Sequence, residues 1–114
     1  MHEFALTQRI VSIINEAASE HGAKKVNAAY LIVGENAGII PDSIRMYYDA
    51  IARGTPAAGA KLHIRLIKAE IRCPACGINF TRPRYSFACP ECGALGSPTD
   101  TGGECYVERV ELDI

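Results

Sequence analysis

Apolar positions between residues 4 and 20 recur every three or four places. Phe4, Ile10, Ile13, Ile14, Ala17 and Ala18 form the series, and Gln8, Arg9, Asn15 and Glu16 lie between them. That period predicts an amphipathic helix with one face on a core. His21-Gly22 closes it, because glycine enters the left-handed C-cap conformation without a Cβ clash. Residues 25 to 33 predict a strand, and Gly34 to Gly38 a loop. Pro41-Asp42-Ser43 opens a second helix, with Ile44, Tyr47, Tyr48 and Ile51 on one face. Arg53-Gly54-Thr55-Pro56 stops it. From 61 to 68, Leu62, Ile64 and Leu66 alternate with Lys61, His63 and Arg65, the pattern of a half-buried strand. Residues 105 to 112 predict a returning strand, with Tyr106, Val110 and Leu112 available to the core.

The stretch from 71 to 103 has neither period. It holds four of the five cysteines and four of the six prolines. A segment of about 30 residues cannot bury enough apolar surface to fold alone, and a metal ion is the usual remedy. The predicted fold class is therefore α+β. Two helices pack on a small three-stranded mixed sheet, and a zinc-ribbon-like four-cysteine subdomain is inserted before the last strand. The expected division is an α/β domain over residues 1–70, completed by the strand 104–114, and a zinc-binding subdomain over 71–103.

Cys73-Pro-Ala-Cys76-Gly77 and Cys89-Pro-Glu-Cys92-Gly93 carry the first chemistry. Each Cys-x-x-Cys puts two sulfurs on one side of a tight turn, and the glycine behind it can take positive φ. Two such knuckles complete a tetrahedral site with Zn–S about 2.3 Å. Zinc is the metal expected, and iron is its main rival in a thiolate cage. Arg72, Arg82 and Arg84 stand near enough in sequence to balance the charge, and Phe80, Tyr85 and Phe87 can supply a small core. A closed four-sulfur site leaves no open position for substrate, which points to a structural zinc. A zinc deaminase would need His-x-Glu, which the sequence lacks. Two matched pairs with trailing glycines also argue against a redox pair. Cys105 is left over and reads as a packed strand cysteine.

Charge narrows the classes further. Twelve Lys and Arg face thirteen Asp and Glu, for a formal net charge of −1. A four-thiolate zinc site moves this to about −3. Such a chain lacks the broad positive field of a nucleic-acid binder. No apolar run approaches the roughly 20 residues of a membrane span, and no signal peptide is visible. A cytoplasmic location is the expectation, and five cysteines there read as metal ligands before disulfides.

The amino terminus carries a second chemistry. Removal of methionine needs a small second residue, so His2 should leave Met1 in place. The Met1 amine, the His2 amide nitrogen and the His2 imidazole Nδ1 can chelate one metal through fused five- and six-membered rings. Glu3 can close a fourth position by its amide or carboxylate. Planar nitrogen donors suit Ni(II) or Cu(II) better than zinc. Read from chemistry alone, a solvated chain end remains the alternative. His21 and His63 have no ligand-spaced neighbours in sequence.

The start Met1-His2-Glu3, the segment from Val33 to Pro41 (VGENAGIIP), the segment from Gly54 to Ala60 (GTPAAGA), the paired Cys-x-x-Cys motifs and Gly103-Glu104 before a strand occur in order. Together they resemble the HypA/HybF family, nickel metallochaperones of [NiFe]-hydrogenase maturation. The resemblance implies Met1, His2 and Glu3 as nickel ligands, and Cys73, Cys76, Cys89 and Cys92 as zinc ligands. It also implies delivery of nickel to the hydrogenase large subunit with a HypB-type GTPase, and in some lineages toward urease maturation proteins. The sequence departs from the family pattern at Asn36, where leucine is usual, at Cys105, where an apolar residue is usual, and in the second helix at Met46, Tyr47 and Tyr48.

The expected function is metal delivery, not catalysis, by a monomer or homodimer without nucleic-acid or membrane partners. The competing class is a zinc-ribbon module that binds nucleic acid or protein. Its residues would be Arg72, Arg82 and Arg84 beside Phe80, Tyr85 and Phe87.

Overall fold

The computed structural model describes residues 2–81 and 86–113, and the side chain of His2 is not among what it describes. Among the described residues the order is helix α1 (His2–Glu20), strand β1 (Lys25–Gly34), helix α2 (Pro41–Ile51) and strand β2 (Lys61–Ile67). Three short strands follow, β3 (Glu70–Arg72), β4 (Asn79–Thr81) and β5 (Ser97–Pro98), and β6 (Cys105–Asp113) returns to the first sheet. The first sheet has the order β2-β1-β6, and the second β4-β3-β5. β1 pairs parallel with β2 across the α2 crossover and antiparallel with β6, so the first sheet is mixed, as expected.

α1 and α2 cover one face of that sheet. Ile10, Val11, Ile14 and Ala18 of α1 meet Leu31 and Val33 of β1, and Ile44 and Tyr48 of α2. Tyr48 closes this core by donating its hydroxyl to the Ala57 carbonyl at 2.7 Å. α1 begins at His2, two residues before the apolar period starts. Its buried stripe is also rotated from the expected one. Thr7 and Val11 are buried, whereas Phe4 and Ile13 are exposed.

Two expected core positions turn outward. Leu66 is exposed because it lies on edge strand β2, near the end of the sheet. Tyr106 is exposed because β6 carries a register shift opposite Tyr30 and Leu31. A bulge adds one residue and flips the alternation. Cys105 and Val107 therefore pack inward before it, and Val110 and Leu112 after it. On the open face of the sheet, Tyr30 stacks on His63, with ring centroids 4.6 Å apart. Arg109 lies 3.8 Å from the Tyr30 centroid, and the Tyr30 hydroxyl donates to Glu111 at 2.9 Å.

The molecule is elongated, 55 × 26 × 16 Å, with a radius of gyration of 17.6 Å, against about 13 Å for a compact chain of this length. The two sheets therefore sit end to end. A clasp joins them. Gly34 N–H donates to the Glu104 carbonyl at 2.6 Å, Glu35 N–H to Ile67 at 2.8 Å and Asn36 N–H to Gly102 at 2.7 Å. The backbones approach so closely that a Cβ on Gly34 would lie 2.0 Å from the Gly102 oxygen. Gly102, at φ +105°, packs in turn against the Ala69 backbone. The small sheet starts at Glu70, one residue before the expected boundary, and Glu70 N–H donates to Thr101 at 3.2 Å.

Candidate metal centre and the amino-terminal helix

The two knuckles fold alike. In the first, Cys73 N–H donates to Ile78 and Gly77 N–H to the Cys73 carbonyl, at 2.9 and 2.8 Å. In the second, Cys89 N–H donates to Ala94 and Gly93 N–H to the Cys89 carbonyl, both at 2.8 Å. Gly77 and Gly93 take φ of 73° and 76°, where L side chains are strained. These turns bring Cys73, Cys76, Cys89 and Cys92 together, with all four sulfurs within 4.8 Å of one another. Cys73 and Cys92 Sγ are 3.6 Å apart, close to the roughly 3.8 Å edge of a tetrahedron with Zn–S near 2.3 Å. The first cysteine of each knuckle is buried and the second exposed.

The electrostatics fit a cation. Cys76 N–H donates to Cys73 Sγ at 3.3 Å, and backbone donors of this kind hold the Cys73 thiol down to about 7. The neighbouring sulfurs, Cys92 first, push Cys76 up to about 12. A metal that enters among the sulfurs would displace the proton that the raised Cys76 thiol holds. The donor set and its spacing fit zinc.

Little else holds this end together. Ile71 and Phe80 are buried against Cys73 and Cys89, with Ala94 beside them. Phe80 therefore is core and not a stacking platform, while Phe87 and Leu95 are exposed. Arg82, Arg84 and Tyr85, invoked above for charge balance, for the small core and for nucleic-acid contact, lie outside the described residues. Arg72 runs beside Gly77. Cys105 stands apart from the four, half-buried against the main core, where burial raises its thiol.

At the other candidate site, Met1 and the His2 side chain lie outside what the structure describes. What it does show is the platform. His2 and Glu3 form the first turn of α1, and the Glu3 carbonyl accepts the Thr7 hydroxyl at 2.6 Å. Phe4 meets Tyr47 of α2 edge to face, with centroids 5.3 Å apart. The clasp and Thr7 were not singled out by periodicity. For the clasp a signal existed: the segments around Gly34 and Gly103-Glu104, far apart in sequence, are the ones that meet.

An α/β unit joined to a four-cysteine knuckle pair defines a small metal-binding protein. The family model described as "Hydrogenase/urease nickel incorporation, metallochaperone, hypA" matches residues 1–112. The chain belongs to the HypA family. It is 36% identical to a hydrogenase maturation factor HypA of Caldanaerobacter subterraneus subsp. tengcongensis, over 99% of this chain and 100% of the relative. It is 34% identical to one from Dehalococcoides mccartyi, over 99% and 95%. Among solved structures, the solution structure of a HypA protein superposes with a TM-score of 0.68 at 20% identity, covering 98% of this chain and 96% of that one. The Ni metallochaperone HypA from Helicobacter pylori superposes with 0.63 at 18% identity, covering 96% of each. These two likenesses bear on the fold. No described helix is long and apolar enough to cross a membrane.

Proposed function

We propose that this protein binds Ni(II) at Met1, His2 and Glu3 and delivers it for assembly of the [NiFe]-hydrogenase active site. The observation that carries the reading is the family match over residues 1–112, which includes this start. Chemistry supports it. The first N–H groups of an α-helix have no intrahelical acceptor, so helix α1 does not consume the His2 amide that nickel would deprotonate. A site at a chain end is open to ligand exchange, as delivery requires. The helix dipole opposes a cation there by ~0.3–1 kcal/mol, and the Glu3 carboxylate offsets that.

Zinc on Cys73, Cys76, Cys89 and Cys92 is the structural ion in this proposal. Its unit is residues 71–103, and the nickel unit is 1–70 completed by 104–114. The partners proposed are a HypB-type GTPase and the hydrogenase large subunit, with urease maturation as a further destination, in the cytoplasm. The protein acts by binding and ligand exchange and catalyses no reaction.

The test is a nickel titration of protein whose chain starts at Met1, set beside a version with one extra amino-terminal residue and beside His2→Ala. The native terminus should bind one nickel with the visible absorption of planar nitrogen coordination, and more weakly as pH falls, because the donors must lose protons. The other two should lose that signature. Equal binding by all three would remove the amino-terminal site. Freshly purified protein should carry about one zinc per chain.

A further inference from the structure

We infer that Thr7 is a positioning residue for the metal-binding terminus, acting with the Phe4–Tyr47 ring pair to hold the first turn of α1 in place before metal arrives. The inference rests on the nickel reading above.

Helix ends fray, because their terminal backbone groups lack partners within the helix. A turn that carries metal ligands and frays must be ordered when the metal binds, and that ordering subtracts from affinity. α1 instead has two anchors within its first turn and a half. Thr7 is fully buried, the one polar side chain so buried among the described residues, and its hydroxyl donates to the Glu3 carbonyl at 2.6 Å. Phe4 is 40% exposed, yet its ring meets Tyr47 edge-on, at an interplanar angle of 87°. Tyr47 belongs to α2, whose Ile44 and Tyr48 are fixed in the core. The first turn is thereby tied both down its own helix and across to the second.

The anchors also use the right atoms. One contact takes a carbonyl oxygen and the other takes two rings. Neither takes a backbone nitrogen from residues 2 or 3, which with the Met1 amine supply the proposed nitrogen donors. Thr7 therefore fixes the peptide that follows Glu3 without competing with metal for its donors. A hydroxyl that only satisfied its own burial would contribute to folding stability and leave nickel affinity in the folded protein unchanged.

That contrast sets the experiment. Nickel affinity and the rate of nickel loss to a competing chelator are measured for the zinc-loaded protein with native terminus, and for Thr7→Val, Thr7→Ser and Phe4→Ala. Melting temperature is recorded for each. Thr7→Val and Phe4→Ala should weaken nickel binding about three- to tenfold and speed its loss. Thr7→Ser, which keeps the hydroxyl, should match the parent. Wild-type affinity and loss rate in folded Thr7→Val and Phe4→Ala would overturn the inference. If Thr7→Val fails to fold, Phe4→Ala decides alone, because it alters a partly exposed ring. A parent protein that binds no nickel at its terminus would refute the underlying reading instead.

Discussion

The two ends of this molecule are stabilised by different means. The α/β end buries Ile10, Ile14, Leu31, Val33, Ile44 and Tyr48 among others, in one continuous core under two helices. The cysteine end has a cluster of only Ile71 and Phe80 with Cys73 and Cys89 of the four-sulfur group. Each large side chain contributes about 1.5–3 kcal/mol on burial, while ordering costs about 1–2 kcal/mol per residue of backbone. Two such side chains cannot order more than thirty residues. Structural zinc supplies an apparent ~10–16 kcal/mol in small zinc domains, and that binding energy is folding energy. The difference teaches where each part is vulnerable: one end to cavities, the other, on the zinc proposal, to loss of its ion.

Metal removal is therefore the largest expected effect. A strong chelator, or Cys89→Ser, should abolish amide-exchange protection over residues 70–103. Protection of Ile14, Leu31 and Tyr48 should persist, because their contacts lie in the other core. Cys89 is the clearer choice than Cys92, since its buried sulfur also packs against Ile71 and Phe80. Heteronuclear spectra with and without chelator would check this. Loss of both ends in one step would mean that the comparison is false and that the clasp makes them a single cooperative unit.

Gly34→Ala attacks the junction and should cost less. Its Cβ would meet the Gly102 carbonyl at 2.0 Å and the Glu104 nitrogen at 2.9 Å, both backbone atoms that cannot swing away. Either β1 or the strand leading into β6 must shift, breaking the bonds from Gly34 and Asn36. The expected loss is about 3 kcal/mol in urea unfolding, the upper end for overpacking, with exchange protection lost first at Asn36. A change within about 0.5 kcal/mol, the range of an ordinary surface substitution, would show that the junction yields easily.

Legibility in the sequence followed the same divide. The knuckles were readable because their chemistry is local: four residues and a glycine set each sulfur pair. The strands and helices of the α/β end were readable from their periods. Three kinds of feature were not. The bulge in β6, which turns Tyr106 outward, depends on pairing with Tyr30 and Leu31 more than seventy residues away. The clasp is formed by backbone atoms of Gly34, Ile67, Gly102 and Glu104, which carry no periodic signal at all. Thr7 was hidden for a third reason. A hydroxyl that bonds back to the preceding turn can take a core position, so a polar letter stood where an apolar one was expected.

The smallest effect sharpens the comparison from the α/β side, because it concerns a core held without metal. Tyr48 is 1% exposed, and burial pushes its phenol from 10.0 up to about 12. Its hydroxyl donates to the Ala57 carbonyl, which also accepts from Ala60 N–H at 3.3 Å. Tyr48→Phe leaves that carbonyl one partner, so the cost near neutral pH should be only about 1 kcal/mol. The pH dependence carries more information. The unfolded tyrosine ionises at 10.0 and the native one at about 12. The unfolded state therefore binds fewer protons over that window, and native stability falls as pH rises through it. The phenylalanine variant lacks this loss. Urea unfolding at neutral and alkaline pH should show the gap between the two proteins narrowing above 10.0 and then reversing. A gap that stays constant would mean that the phenol meets solvent in the native state and that this core is less closed than its packing indicates.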